Sequence, residues 1–275
     1  MTYCIYTNTI TSDPSPEHIF PLSLGGHNKF TIQVDQKFNN DIGSKVDGKL
    51  ANDFAVLFER DRADAVGYSG KQPHPIVKKA NLTDGTPIQA TFSKDGLKLF
   101  DLINKKEVSN SDARGKVIHC NDIKIDMDID LMFVAKVALA AGYFAYGDLF
   151  KEHVETEDLR NIMNFDKKNL PEKSSARVYG RFYKPEPTED IIHILKMATE
   201  LGNCSSVVMM PSEESFGVAV SVLGTFMGFV SVPSCSKYLP NTDNYKYGHC
   251  IYLQDGEVKR FSFEHIRKKL LEALE

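Results

Sequence analysis

The order of elements in the first sixty residues constrains the fold more than any other feature of the chain. Turn-forming residues dominate 9–16 and are followed directly by Glu17-His18. A β-type run at 30–34 precedes Asp35, which is suited to cap a helix over about 37–58, where apolar residues recur at helical spacing. The sequence therefore predicts a loop, a strand and a helix, with a short strand or knuckle at 4–6 before them.

Glu17 and His18 supply two kinds of side chain that phosphodiester cleavage requires. A neutral imidazole accepts a proton from water near pH 7, so His18 is predicted to act as a general base. A carboxylate binds Mg²⁺ or Mn²⁺, and such an ion stabilises the negative charge that builds on the phosphate oxygens. A lone histidine is usually structural, so the surrounding pattern decides the interpretation.

Three stretches set that pattern. They read Glu17-His18-Ile19-Phe20-Pro21, Gly25-Gly26, and Asn39-Asn40-Asp41-Ile42-Gly43-Ser44-Lys45-Val46-Asp47. Together they resemble the HNH endonucleases, or ββα-metal nucleases. The similar branch reads Glu-His-(Ile/Val)-x-Pro, Gly-Gly, then Cys-x-x-Cys-Asn-Asn-x-x-Gly-Ser-x-(Val/Ile)-Asp. The resemblance covers residues 1–60 and leaves about four-fifths of the chain outside it.

The resemblance implies a role for several further residues. Asn39 aligns with the metal ligand at the start of the family's helix, so Glu17 and Asn39 are expected to hold Mg²⁺ or Mn²⁺ together. Asn40 and Asp47 are seven residues apart on one predicted helix face and are secondary candidates, although both residue types are also common as helix caps. The family's middle Asn, which braces the loop that holds the base, has no firm counterpart here: Asn28 is close and is a further secondary candidate, whereas Phe30 or Thr31 falls nearer the expected register.

The chain departs from the family at the structural zinc site. Many members have two Cys-x-x-Cys pairs, whereas the corresponding positions here are Cys4 with Thr7 and Asp35 with Phe38. One cysteine does not make a tetrahedral zinc site, so no structural zinc is expected. Phe38 is instead predicted to pack against residues 4–6.

Bulk charge restricts where nucleic acid would bind. The formal net charge is −4 and the pI is about 6.1, which argues against nucleic-acid binding over the whole surface. A local patch is predicted instead, at Lys29, Lys37, Lys45 and Lys49. The lysine pairs at 78–79 and 167–168 are weaker candidates, because such pairs are more often solvated.

Beyond residue 66 the sequence predicts a second unit. The Gly- and Pro-rich stretch at 67–80 is the expected linker between a 1–66 HNH-like domain and an 81–275 α+β domain. That domain is predicted to have a central buried helix at about 130–150, antiparallel strands, a hairpin at Asp255-Gly256 and a closing helix over 263–274. Its role is open between substrate positioning, partner binding and homodimer formation.

The predicted fold class is therefore α+β, with an N-terminal ββα-metal finger, and the predicted activity is metal-dependent hydrolysis of DNA. RNA as the substrate would differ in no visible residue. Similar nucleases act in restriction, phage defence and mobile elements, so those settings follow from resemblance alone. The rival hypothesis is a catalytically inactive or partner-activated protein that binds nucleic acid or regulates on the same scaffold.

The cysteines and the lengths of the apolar runs indicate the cellular compartment. Five scattered cysteines without a Cys-x-x-Cys pair fit reduced thiols. The absence of a basic leader or of about 18 uninterrupted apolar residues predicts a cytoplasmic protein with no membrane span.

Overall fold

Antiparallel pairing joins the strands of an α+β fold, as the short alternating runs and turns in the sequence predict. The computed structural model describes residues 1–120, 123–166, 174–184, 186 and 190–274. The strands are β1 (Thr2–Cys4), β2 (Thr9–Thr11), β3 (Pro14–His18), β4 (Thr31–Asp35), β5 (Ile76–Leu82), β6 (Pro87–Ser93), β7 (Gly96–Asp101), β8 (Lys106–Glu107), β9 (Ile118–Cys120), β10 (Arg177–Gly180), β11 (Ser205–Pro211), β12 (Ser215–Val222), β13 (Thr225–Pro233), β14 (His249–Gln254) and β15 (Glu257–Ser262). The α-helices are α1 (Gln36–Ile42), α2 (Gly48–Ala51), α3 (Phe54–Arg62), α4 (Asn110–Ala113), α5 (Met127–Tyr146), α6 (Asp148–His153), α7 (Thr156–Met163), α8 (Asp190–Glu200) and α9 (Phe263–Leu274).

β4 and α1 form the predicted strand at 30–34 and the start of the predicted helix, whereas the strand that pairs with β4 is β3 and not the one predicted at 4–6, which is β1 at Thr2–Cys4. β3 pairs antiparallel with β4, which places Glu17 opposite Ile32 and His18 opposite Thr31. Asp35 caps α1, and its carboxylate accepts a hydrogen bond from the backbone N–H of Phe38 at 2.9 Å. We call residues 14–42 the ββα unit.

Two local predictions in this region are wrong. Residues 9–16 are not a plain loop, because β2 pairs with β1 and β3 begins at Pro14. Proline is tolerated in β3 because this strand pairs only with β4 among the described strands. The helix over 37–58 is not continuous either, since Asp53 accepts hydrogen bonds from the backbone N–H groups of Ala55 and Val56 and so starts α3 afresh.

The first unit contains two separate chain segments, Met1–Leu50 and Met127–Glu275. Its six-stranded sheet has the order β10-β13-β12-β11-β14-β15, and α5 packs against β12 and β13. From Phe133 to Gly142 every residue of α5 is buried, which confirms the predicted central helix. The predicted helix to residue 150 is interrupted at Gly147, whose combination of φ +58° with ψ −134° is favourable only for glycine.

α5 is also, within the described residues, the one helix long and apolar enough to cross a membrane by length and composition. Most of it is buried inside the protein, as in the core helix of a soluble protein. Length and apolar composition therefore carry little weight for a membrane span here.

The second unit is Ala51–Asp126, with a five-stranded sheet in the order β8-β7-β6-β5-β9. Phe54 and Phe58 of α3 contact Phe92 of β6. These units divide the chain differently from the predicted 1–66 and 81–275 domains with a 67–80 linker. The ββα unit groups with α5 because its apolar residues bury there, whereas the Gly- and Pro-rich stretch lies inside the second unit.

Several later predictions agree closely with the structure. The hairpin at Asp255-Gly256 joins β14 to β15, α9 spans the predicted closing helix, and the strands of the six-stranded sheet are antiparallel as predicted. β5, β10 and α8 were not predicted. Lys167 and Lys168 lie outside the described residues.

Candidate functional site

Glu17 is held inside the protein by a lysine from α5. The Lys136 ammonium forms an ion pair with Glu17 Oε1, and the exposed fraction is 7% for Glu17 and 0% for Lys136. Lys136 Nζ also donates to the backbone carbonyl of His18 at 3.5 Å. The carboxylate that was predicted to face a metal ion therefore faces an ammonium group.

Asp47 is the second carboxylate at this ammonium. Lys136 Nζ donates to Asp47 Oδ2 at 2.7 Å, and Asp47 is 8% exposed. The segment Gly43–Asp47 is a π-helix, closed by a hydrogen bond from the Gly48 N–H to the Gly43 carbonyl. This wider turn changes the helical register, which explains why Asp47 is buried while Asn40 is exposed. The prediction that these two side chains share a face is therefore wrong.

We call Glu17, Asp47 and Lys136 the buried triad. It holds two carboxylates and one ammonium, so burial acts strongly on its charges. Burial is the largest influence on Asp47 and, with the charge of Glu17, raises the pKa of its carboxyl to about 6 despite the opposing effect of Lys136. Burial alone would lower the pKa of Lys136, but the charges of Asp47 and Glu17 outweigh it and raise that pKa.

Tyr6 adjoins the buried triad. Burial, followed by the charges of Glu17 and Asp47, raises the pKa of its hydroxyl well above the ordinary value. In the described part of the chain, neither this hydroxyl nor Asp47 Oδ1 has a hydrogen-bond partner. Tyr6 also contacts Phe38, with ring centroids 5.7 Å apart, as predicted for the position of a family cysteine.

His18 has a different environment from its neighbour Glu17. Successive side chains of a strand point to opposite faces, so Glu17 lies inside and the half-buried His18 lies on the other face of β3. The His18 Nε2 atom is 2.9 Å from Asn28 Oδ1. With this carboxamide oxygen as the acceptor, Nε2 carries the proton and Nδ1 is the basic nitrogen. Asn28, rather than a backbone carbonyl, thus orients the ring.

Asn39 connects α1 to β3. Its amide nitrogen donates to Ser15 Oγ at 3.0 Å and to the Pro16 carbonyl at 3.4 Å. These bonds hold the side chain against the strand that carries Glu17 and His18. In this arrangement Asn39 is a brace within the ββα unit.

Gly25 and Gly26 have a packing role. A Cβ atom on Gly26 would lie 1.8 Å from the Phe20 carbonyl oxygen, which no side chain tolerates. Gly25 adopts a φ of +75° and lies against Leu223 and Ser205. Ser205 Oγ donates to the Leu24 carbonyl at 2.5 Å and accepts from the Leu223 N–H at 2.9 Å. The loop between β3 and β4 is thereby fixed to the six-stranded sheet.

The predicted nucleic-acid contacts lie at the surface. All four lysines of the predicted patch are exposed, and the positions are Lys29, Lys37, Lys45 and Lys49. Lys29 adjoins the exposed Asn28, next to the pair formed with His18. Exposed cations are what phosphate binding would require, and of the four only Lys29 is linked to the imidazole here, through its neighbour Asn28.

The predicted metal ligands do not fit a divalent ion as the structure places them. Glu17 is already charge-paired with Lys136, and Asn39 is hydrogen-bonded to Ser15. His18 lies on the opposite face of the strand from Glu17. Among the described residues, no group of three or more His, Cys, Asp or Glu side chains is placed to hold a metal ion.

The sequence already indicated that Lys136 is a buried cation, although the motif residues gave no role to it. A lysine is rarely fully buried unless it is paired, and Lys136 is a cation within the apolar run of α5. A buried lysine requires carboxylates nearby. The family-like motif supplied two, Glu17 and Asp47, but not their distance from α5.

A second buried polar group lies in the six-stranded sheet. His249 is fully buried, its Nδ1 donates to the Asn244 carbonyl at 2.7 Å, and its Nε2 accepts from Arg260 Nε at 2.9 Å. Burial is the main cause that lowers the pKa of His249 to about 4. A neutral ring with both nitrogens engaged is structural here.

Comparisons with protein-family models, with curated proteins and with solved structures found no match to this chain. The HNH resemblance therefore depends on the motif residues alone.

Proposed function

We propose that this protein is an HNH-type endonuclease that hydrolyses phosphodiester bonds in DNA, with His18 as the general base. The observation that carries the proposal is the His18–Asn28 pair on the ββα unit. A base has to be oriented and accessible to water, and the half-buried His18 satisfies both conditions.

The His18 ring supplies a defined proton acceptor. Its Nε2–H is engaged by Asn28, so the lone pair on Nδ1 is the one that can take a proton from a water molecule. The resulting hydroxide would attack the phosphorus atom, the P–O bond to the 3′ oxygen would break, and the departing 3′ oxygen would take a proton from water. The exposed lysines of the patch would hold the flanking phosphates and bring the backbone to the imidazole.

A divalent ion would supply charge stabilisation to such a reaction. Glu17 and Asn39 have other partners in this arrangement, so neither is available to hold that ion. The Mg²⁺ or Mn²⁺ requirement predicted from the resemblance stays a prediction for the experiment below.

One observation favours a second candidate function. The Glu17–Lys136 ion pair satisfies the carboxylate without an ion, as expected for a catalytically inactive or partner-activated protein that binds nucleic acid on an HNH scaffold. The intact His18–Asn28 pair favours the enzyme.

Cleavage of supercoiled and linear DNA, with RNA in parallel, tests the two functions. The purified full-length protein would be assayed with Mg²⁺, Mn²⁺ or EDTA, beside His18→Ala. We expect cleavage by the wild type and a loss of about 10²- to 10⁴-fold in the variant, the usual contribution of a general base. His119→Ala, at an exposed histidine of the second unit, is the matched control and should keep full activity.

Two results would oppose the proposal. Equal cleavage by wild type and His18→Ala would show that His18 is not the base. Binding of DNA without cleavage under every ion condition would favour the inactive or partner-activated candidate.

A further inference from the structure

The Lys136 ammonium is surrounded by the kind of atoms that bind divalent ions. A carboxylate oxygen of Glu17, Oδ2 of Asp47 at 2.7 Å and the His18 carbonyl oxygen at 3.5 Å all face its Nζ atom. Carboxylate and backbone carbonyl oxygens are also the ligands that Mg²⁺ and Mn²⁺ prefer. One cation, supplied by the protein itself, already occupies this oxygen set.

Unused polar atoms surround the same position. Asp47 Oδ1 and the Tyr6 hydroxyl are buried, and neither has a hydrogen-bond partner in the described residues. Both lie within the electrostatic reach of the buried triad, since the charges of Glu17 and Asp47 act on Tyr6. The surroundings of the ammonium therefore contain more polar atoms than one lysine requires.

We propose that Lys136 excludes divalent ions from Glu17, so that the ammonium and a metal ion are alternative occupants of one oxygen site. The inference deepens the proposed nuclease function and rests on it, because it assigns the cation of that site. An ammonium and a divalent cation within a few ångströms repel each other, and burial leaves little water to screen them. A metal would enter only when Lys136 is withdrawn or removed.

Removing the ammonium tests the proposal directly. Lys136→Ala shortens the side chain and leaves two carboxylates and a carbonyl around the emptied space. We expect no saturable Mn²⁺ binding by the wild type over the titrated range and saturable binding by the variant. The affinity of the variant for Mn²⁺ should exceed that of the wild type by at least about tenfold, the factor typical of a change in the groups that support a metal site. Isothermal titration calorimetry on the full-length protein, with Mn²⁺ alone, measures this.

Matched variants locate the ion. Lys136→Ala combined with Glu17→Gln should lose the gained Mn²⁺ binding, whereas Lys98→Ala, at an exposed lysine outside the predicted patch, should behave as the wild type does. Saturable Mn²⁺ binding by the wild type that disappears in Glu17→Gln would overturn the proposal. A folded Lys136→Ala variant with no Mn²⁺ binding would overturn it as well.

A second variant covers the case in which Lys136→Ala does not fold. Adding Asp47→Asn removes one negative charge with the positive one, so the buried triad keeps its wild-type net charge. This double variant should fold and bind Mn²⁺ through Glu17, with a melting temperature that rises with Mn²⁺ concentration. No Mn²⁺ effect on the folded double variant would refute the proposal.

The Mn²⁺-binding measurement also distinguishes failure of the exclusion by Lys136 from failure of the proposed nuclease function. Ion binding is measured without nucleic acid, so loss of cleavage in His18→Ala has no bearing on it. If the wild type cleaves no nucleic acid while Lys136→Ala gains Mn²⁺ binding, the proposed nuclease function is rejected. The proposal that Lys136 and a metal ion exclude each other would still hold.

Discussion

Replacing Asp47 by asparagine should stabilise the protein at neutral pH. Glu17 and Lys136 balance each other, which makes Asp47 the excess charge of the buried triad. Burial raises the pKa of its carboxyl to about 6 from an ordinary value of 3.8, so the folded protein binds this proton more tightly than the unfolded chain does. Stability from this group is therefore fully present below about pH 4 and is lost as the pH rises to about 6.

The size of the effect follows from those two values. One pH unit corresponds to about 1.4 kcal/mol, so the interval between 3.8 and about 6 corresponds to about 3 kcal/mol. Asparagine resembles the protonated carboxyl in shape and charge. Asp47→Asn should therefore have a free energy of unfolding up to about 3 kcal/mol above that of the wild type at pH 7, and a similar one at pH 4.

Urea unfolding of both proteins at intervals between pH 4 and pH 7.5 measures this difference. Taking the difference between the two proteins cancels the other titrating groups. Asp41→Asn is the matched control, because Asp41 is exposed at the end of α1, and it should change stability by less than about 0.5 kcal/mol at any pH.

An Asp47→Asn variant less stable than the wild type by more than about 1 kcal/mol at pH 7 would refute this prediction. That result would mean that the ionised carboxylate gains more from Lys136 than it loses by burial, as happens when removal of one partner leaves a buried charge unpaired. A stability difference that does not change between pH 4 and pH 7 would also contradict it.

Three further predictions concern other parts of the first unit. Gly26→Ala should prevent stable folding, because its Cβ would overlap a carbonyl oxygen at 1.8 Å. The control Gly43→Ala places its Cβ in open space and should lower the free energy of unfolding by less than about 0.5 kcal/mol. Thermal unfolding compares the two variants. Asn28→Ala should lower cleavage about 10- to 100-fold by releasing the His18 ring, and Asn28→Asp should restore most of it; initial cleavage rates test this. The pKa of about 4 for His249 predicts that the free energy of unfolding falls by up to about 3 kcal/mol as the pH falls from 6.5 to 4. His249→Gln should not show this fall, and urea unfolding of both proteins across that pH range measures it.

Local patterns in the sequence predicted much of the fold. The cap at Asp35, the hairpin at Asp255-Gly256 and the buried helix α5 depend on neighbouring residues, and all three are present. The interruption of the first helix was missed because Asp53 favours a cap only when the chain turns there, which spacing alone does not reveal.

The site was predicted less completely, for a physical reason. A local motif identified Glu17 and His18, whereas the partner of His18 was left open between Asn28 and the register positions Phe30 and Thr31; the structure pairs His18 with Asn28. The partner of Glu17 is Lys136, more than a hundred residues away, and no local pattern specifies a contact of that range. A motif therefore identified the carboxylate but not the cation it faces.

The discontinuity of the first unit has a consequence for synthesis on the ribosome. Lys136 is made 89 residues after Asp47 and 118 residues after His18, at the far side of the whole segment Ala51–Asp126. At about 5–20 residues per second, Asp47 waits roughly 4–18 s for its partner. During that interval the second unit is completed first, although it comes later in the chain than the ββα unit. The nascent chain thus carries the Glu17 and Asp47 carboxylates in water, and their burial is the late event that joins the two ends of the chain into one core.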